Sequence, residues 1–142
     1  MNVIAYNHNH KGVKGAKLVD LETLFKESDF ISLHLKTIPN VTERIIAKDL
    51  LKLCKPTCFI ENRGDYKLIN NEDLISALKN NSIAGYGATL NDKTKDLKGL
   101  ANVILLPANA WFSDESLLNL KCIWMNNIIE FDKGNIINLV EE

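Results

Sequence analysis

An α/β fold, with a parallel β-sheet flanked by helices, is predicted by two features of this sequence. Short β-prone runs alternate along the chain with segments whose apolar residues recur at helical spacing. Several of the runs, Phe30–Leu35 and Val103–Leu106 among them, are apolar nearly throughout, as in strands buried on both faces of a parallel sheet.

Each element has its own local reason. Val3-Ile4-Ala5-Tyr6 is a strand running out into the polar loop from Asn7 to Gly12, and Lys17-Leu18-Val19 is a shorter one. Asp20 precedes Leu21, Leu24 and Phe25, whose spacing makes a helical stripe that a short-chain acid can cap, and that helix stops near Ser28. After the strand at Phe30–Leu35, Pro39 and Asn40 mark a turn. Ile46, Leu50, Leu51 and Leu53 form a second stripe, closed by Pro56 because proline lacks the N–H that would continue a helix. Cys58-Phe59-Ile60 is the next strand. A third helix opens at Asn71-Glu72-Asp73, carries Leu74, Ile75 and Leu78, and ends at Asn80-Asn81. Ile83 to Ala88 is a glycine-bearing strand, Val103 to Leu106 another stopped by Pro107. A long helix from about Asp114 to Asp132 follows, with Leu117, Leu120, Ile123, Trp124, Ile128 and Phe131 along one face and Gly134 beyond it.

The 142 residues are of single-domain size, and 46% hydrophobic with 25% charged residues is a globular balance. Seventeen Lys+Arg against eighteen Asp+Glu give a net charge of -1, with no basic block that could track phosphates, which argues against nucleic acid or an anionic membrane as partner. No apolar run approaches a bilayer span and no signal-peptide pattern is present, so a cytoplasmic location is expected. Cys54, Cys58 and Cys122 form an odd set without a Cys-x-x-Cys pair, each in apolar surroundings, and read as small hydrophobes, not disulfide or zinc partners. His8 and His10, two apart in a loop, lack a third ligand and read as solvated. Trp111 and Trp124 read as core or interface aromatics.

Four segments in order resemble a known family. They are Leu21-Glu22-Thr23-Leu24-Phe25 through Ser28-Asp29 to Ser32-Leu33-His34-Leu35; Lys55-Pro56 through Asn62 to Leu74-Ile75-Ser76-Ala77-Leu78-Lys79; Ile83-Ala84-Gly85-Tyr86-Gly87; and Asn102–Leu105 with Pro107, Ala110-Trp111 and the helix to Gly134. Together they resemble the NAD-binding domain of the D-isomer-specific 2-hydroxyacid dehydrogenases. The resemblance implies an incomplete Rossmann-like parallel sheet flanked by helices, first strand and helix missing, with residues 1–142 a single truncated NAD-binding-like domain. The family domain begins with a strand, a Gly-x-Gly-x-x-Gly turn and a helix that hold the pyrophosphate, and no such stretch occurs here. In the usual order the missing strand lies mid-sheet, so two edges would face each other unpaired. Either the sheet closes up, or a second copy or another chain supplies the pairing, which makes a homo-oligomer or a complementing chain the expected partner.

The resemblance also assigns site positions. NAD is the implied cofactor, with Asn7, Asn62, Gly64 and Thr89 at the cofactor-binding positions. Asn7 stands where an acid usually meets the ribose hydroxyls, a neutral and weaker acceptor. The family uses an Arg to hold the substrate carboxylate, a His as acid–base and a Glu to orient that His. A gap-free alignment puts Asp65 at the Arg, Thr94 at the Glu and Ala108 at the His; a two-residue insertion would instead let Arg63-Gly64 serve as the family's Arg-Gly. His34 reads as a strand-end residue lining the cleft, not the acid–base group. The expectation is therefore a catalytically inactive relative with weak or no NAD binding and a residual binding or assembly role. The competing reading is an NAD-dependent oxidoreductase acting on a 2-hydroxy acid, completed by another chain. A nucleotide-binding module without turnover is a third.

Overall fold

The computed structural model describes residues 1–9, 12, 14–109 and 112–140. His10 and Trp111, for which loop and aromatic roles are expected, lie outside them. The chain forms two compact units, Met1–Pro107 and Ala108–Glu142.

The first unit holds six strands and three α-helices: β1 Ile4–Ala5, β2 Lys17–Leu18, α1 Leu21–Glu27, β3 Phe30–Leu33, α2 Lys48–Leu53, β4 Phe59–Asn62, α3 Asn71–Lys79, β5 Gly85–Thr89 and β6 Val103–Leu106. Two 3-10 turns, Tyr66–Leu68 and Lys95–Leu97, add to these. All pairings are parallel. β1 pairs with β2, and β3-β4-β5-β6 form a separate four-stranded sheet. The expected alternation of strands and helices is thus present, and α2 and α3 each serve as a crossover between neighbouring parallel strands.

Capping explains where the helices start. The Asp20 carboxylate accepts the Thr23 N–H at 2.7 Å at the head of α1. The Asn70 side chain accepts the Glu72 and Asp73 N–H groups at the head of α3, one residue before the expected opening. α2 begins later than its apolar stripe suggests. Ile46 lies outside it, in a parallel bridge with Ile69 made by Ile46 N–H to the Leu68 carbonyl (3.0 Å) and Asn70 N–H to the Ile46 carbonyl (2.9 Å). Both isoleucines are buried, so the apolarity of Ile46 reflects a tertiary pairing and not a helix face.

In register, Ile31, Ile60, Tyr86 and Val103 make one row across the sheet. That face, with Leu33, packs with Phe25, Leu51, Leu68, Leu74 and Leu78 in one core, and α2 touches both α1 and α3. The opposite face differs from expectation. Phe30 is 60%, Phe59 51%, Ile104 65% and Leu106 60% exposed. Successive strand side chains point to opposite faces, and α1–α3 cover only one, so these runs are buried on one side despite being apolar on both. Gly85 packs closely where it stands. A Cβ there would meet the Phe59 ring at 2.7 Å and the Asn102 carbonyl at 3.0 Å.

The sheet has not closed up. β1 and β3 remain edge strands of different sheets, and between them lies a cavity of about 680 Å³ lined from both sides, by Ile4 to Asn9 and by Phe30 to Lys36.

The second unit is built on α4, Asp114–Asp132, whose N-cap Ser113 accepts the Ser116 N–H at 3.1 Å. None of its side chains is buried. Trp124 is among its exposed side chains.

Candidate functional site

The polar residues that the sequence singles out fall in three places. The first is the cavity between β1 and β3. Asn7 follows β1 and uses its Oδ1 to accept the Asn9 N–H at 3.0 Å, a local turn. His8 and Asn9 line the same cavity, as do His34 and Lys36 after β3, and His34 Nε2 lies 2.9 Å from Ser32 Oγ. The segments after β1 and at the end of β3 thus present Asn7, His8 and His34 to one space, and open α/β sheets bind ligands at the C-terminal ends of their strands.

The second place is the end of β4. Asn62 is buried; its Oδ1 accepts the Gly64 N–H at 3.0 Å and its Nδ2 donates to the Asp65 carbonyl at 3.1 Å. Burial pushes the Tyr86 hydroxyl up from its ordinary range, and a hydrogen bond with Asn62 offsets part of this. Asn62 is therefore committed within the chain. Gly64 is fixed by crowding, since a Cβ there would lie 2.9 Å from both the Leu35 carbonyl and Leu68 Cδ1. Asp65 caps the following 3-10 turn by accepting the Lys67 N–H at 3.0 Å. Arg63 donates its N–H to the Leu33 carbonyl at 3.0 Å, while its Nε sits 3.7 Å from Glu61 Oε1. The Arg63 side chain lines a hollow of about 370 Å³ on the exposed sheet face with Phe30, Phe59, Glu61 and Tyr86. Asp65 and Arg63, the two alternatives for one position, thus do different things.

The third is the loop after β5. Thr94 is 3% exposed; its hydroxyl accepts the Asn91 N–H at 2.9 Å and lies 3.2 Å from the Thr89 carbonyl, to which it can donate. Thr89 and Thr94 come together, but as loop scaffolding. Ala108 is exposed in the second unit and carries no group that moves a proton.

Helix N-termini complete the inventory. α1, α3 and α4 open on Asp20, Asn70 and Ser113, and at the head of α2 the Lys48 N–H donates to Asp73 Oδ2 at 3.0 Å. At each of these four helix heads a side chain thus holds at least one first-turn N–H. The capping hydrogen bonds from Thr23 hold the Asp20 carboxyl below its ordinary value. Among the described residues no group of three His, Cys, Asp or Glu could hold a metal ion, and no helix is long and apolar enough to cross a membrane. Sequence reading missed that His8 and His34 line one cavity. Their signal, polar residues immediately after two strands, becomes visible only once the strands are known to be neighbours.

The family model for the D-isomer specific 2-hydroxyacid dehydrogenase NAD binding domain matches residues 1–110. Glyoxylate reductase of Thermococcus litoralis is 35% identical over 144 residues, covering 96% of this chain and 43% of that protein. An acyclic imino acid reductase solved with NADPH and D-Arg is 35% identical, with a TM-score of 0.77 over 99% of this chain and 46% of its own. D-lactate dehydrogenase of Lactobacillus jensenii, solved with NAD+, is 26% identical, with a TM-score of 0.77 over 99% of this chain and 48% of its own. The chain spans less than half the length of each. A parallel sheet with helical crossovers and a family match over most of its length lead to one conclusion: the chain belongs to the D-isomer-specific 2-hydroxyacid dehydrogenase family and corresponds to its NAD-binding domain.

Proposed function

We propose that this polypeptide is a non-catalytic member of its family, with a binding or assembly role in place of turnover. The carrying observation is the identity of the residues at the reaction positions that the gap-free alignment assigns, Asp65, Thr94 and Ala108. Asp65 would repel a substrate carboxylate where an arginine would clamp it, Thr94 is spent on its own loop, and Ala108 cannot transfer a proton.

One observation favours the second reading, an NAD-dependent oxidoreductase of 2-hydroxy acids completed by another chain. Arg63 is half-exposed and faces a hollow, as a carboxylate-binding arginine must. Its nearest anion, however, is Glu61, which already competes for the guanidinium. A cytoplasmic setting is part of both readings.

The test is an NADH titration followed by tryptophan fluorescence, with turnover assayed on glyoxylate and pyruvate. The inactive reading expects no quench at micromolar NADH and no oxidation of NADH. Saturable micromolar binding with turnover would establish the oxidoreductase instead, and binding without turnover a nucleotide module.

A further inference from the structure

Two of the three cysteines come together in the fold of the first unit. Cys54 ends α2, Cys58 directly precedes β4, and the turn between them is closed by the Cys58 N–H donating to the Lys55 carbonyl at 2.9 Å. Pro56 stiffens that turn because its ring fixes φ. Both side chains belong to the one buried core, Cys54 8% and Cys58 0% exposed. Their contacts with main chain are long, Cys54 Sγ lying 3.9 Å from the Leu50 carbonyl and Cys58 Sγ 3.7 Å from the Phe59 carbonyl. The contact that matters is between the two sulfurs, which share a hydrogen bond across the turn. In the sequence each reads as a small hydrophobe; in the fold they are a dithiol.

The two thiols are not equivalent. The shared hydrogen bond, and then burial, push Cys54 up, whereas the same bond pulls Cys58 down, as a donor S–H does for the sulfur that accepts it. Two charged groups also act on Cys58. The Lys55 ammonium favours its thiolate, while burial and the Asp29 carboxylate, 2.7 Å from that ammonium, oppose it. Among the described residues no third His, Cys, Asp or Glu completes a cluster with the pair, so the four ligands of a structural zinc site are not assembled. What an unequal pair of thiols supports is oxidation, in which the lower one attacks and the higher one resolves. Burial restricts the reagent to a small one. Hydrogen peroxide, little larger than water, can reach the pair from the side of Cys54, the residue nearer solvent.

We propose that Cys54 and Cys58 are a peroxide-sensitive dithiol, oxidised to an internal disulfide that ties the end of α2 to the start of β4. The Cys58 thiolate attacks one oxygen of the peroxide, the O–O bond breaks, and a sulfenic acid forms on Cys58. The hydroxide released takes the Cys54 S–H proton and leaves as water. The Cys54 sulfur then attacks the Cys58 sulfur, and the S–O bond breaks as the S–S bond forms. The second hydroxide takes from solvent the proton that Cys58 had lost. Two thiols are thus oxidised by two electrons, and one peroxide is reduced to two waters. In a reducing compartment disulfides of this kind are transient and redox-sensing. Neither cysteine belongs to the reaction positions, so the pair is independent of whether the chain turns over a substrate.

The test uses the full chain carrying Cys122→Ser, which removes the exposed thiol. The reduced protein receives about a tenfold molar excess of hydrogen peroxide near neutral pH and is then denatured, alkylated and digested. Both cysteines fall in one tryptic fragment, 53–63, because trypsin cuts after Lys52 and Arg63 but not between Lys55 and Pro56. The expected result is a fragment lighter by two hydrogens, with neither thiol alkylated until it is reduced. Oxidation is expected to be about tenfold faster in the native chain than in urea, where each thiol regains its ordinary, mostly protonated state. Cys54→Ser is expected to trap the sulfenic acid on Cys58, captured by a dimedone probe, and Cys58→Ser to give at least tenfold less capture on Cys54. Two alkylatable thiols after peroxide, a disulfide joining two chains, a disulfide that forms only in urea, or sulfenic acid on Cys54 alone overturns the proposal. The fragment mass and the native-against-urea rate need no change at either thiol, so they decide the matter even where a serine variant unfolds.

Discussion

Asn62 Oδ1 accepts the Gly64 main-chain N–H at 3.0 Å, closing the turn that carries the chain out of β4. The amide of the same side chain donates to the Asp65 carbonyl at 3.1 Å. A buried group with both functions satisfied is costly to remove, because its partners are left without replacements. Asn62→Ala should lower stability by about 1–3 kcal/mol. Urea unfolding with an unchanged slope and a shifted midpoint checks this; an unshifted midpoint would show that water replaces the side chain.

Gly64 and Gly85 both exclude a Cβ, but against different neighbours. At Gly64 the collision is partly with backbone, the Leu35 carbonyl, and with buried Leu68; at Gly85 it is chiefly with the ring of Phe59, which is half-exposed and can swing away. Gly64→Ala should therefore cost about 1–3 kcal/mol, and Gly85→Ala less. Midpoints of thermal or urea unfolding for the two variants decide the order.

The cap at the head of α1 carries a pH signature. Asp20 is held below its ordinary pKa by the Thr23 hydrogen bonds, so its ionised form is favoured in the folded state. A depressed carboxyl contributes stability that is present above its unfolded value, near pH ~4, and lost as pH falls through the folded value below it. Asp20→Ala should lower the urea midpoint at pH 7, with the difference from the parent shrinking below pH ~4. A difference that stays constant down to pH ~2 would assign the effect to helix propensity alone.

The three thiols should separate by accessibility. Cys122 on α4 is exposed, whereas Cys54 and Cys58 are buried. A hydrogen bond with Cys58, and then burial, push the Cys54 thiol up, away from the reactive thiolate. A thiol reagent at pH 8 should label one cysteine per native chain quickly and the other two only in denaturant. Fast labelling of all three would mean that the core around α2 opens readily.

Much of the fold is legible in the sequence because local rules set it. Asp20 is a short polar side chain before an apolar stripe and caps α1 as its sequence position suggests, and the structure adds Asn70 and Ser113 as the caps of α3 and α4. The strands declare themselves by length and β-prone composition, and their order follows. Less legible is anything that depends on what lies across from a residue. Ile46 looks like a helix position and is a bridge partner of Ile69; Phe30 and Phe59 look like core and lie on a bare face. The candidate site divides the same way. That Ala108 cannot act as an acid is plain from its identity, whereas the commitment of Thr94 to Thr89, and of Asp65 to Lys67, appears only when the loops are folded.

The sequence by itself determined the succession of strands and helices and the membership of the family, because these follow from spacing and side-chain chemistry within a few residues. Only the tertiary structure decided that β1 and β3 stand in separate sheets with one cavity between them, and that the helices of the first unit cover one side of the sheet. The reason is physical: pairing and burial are properties of two segments at once, and residues far apart in the chain do not record in their own identity which neighbour the fold supplies.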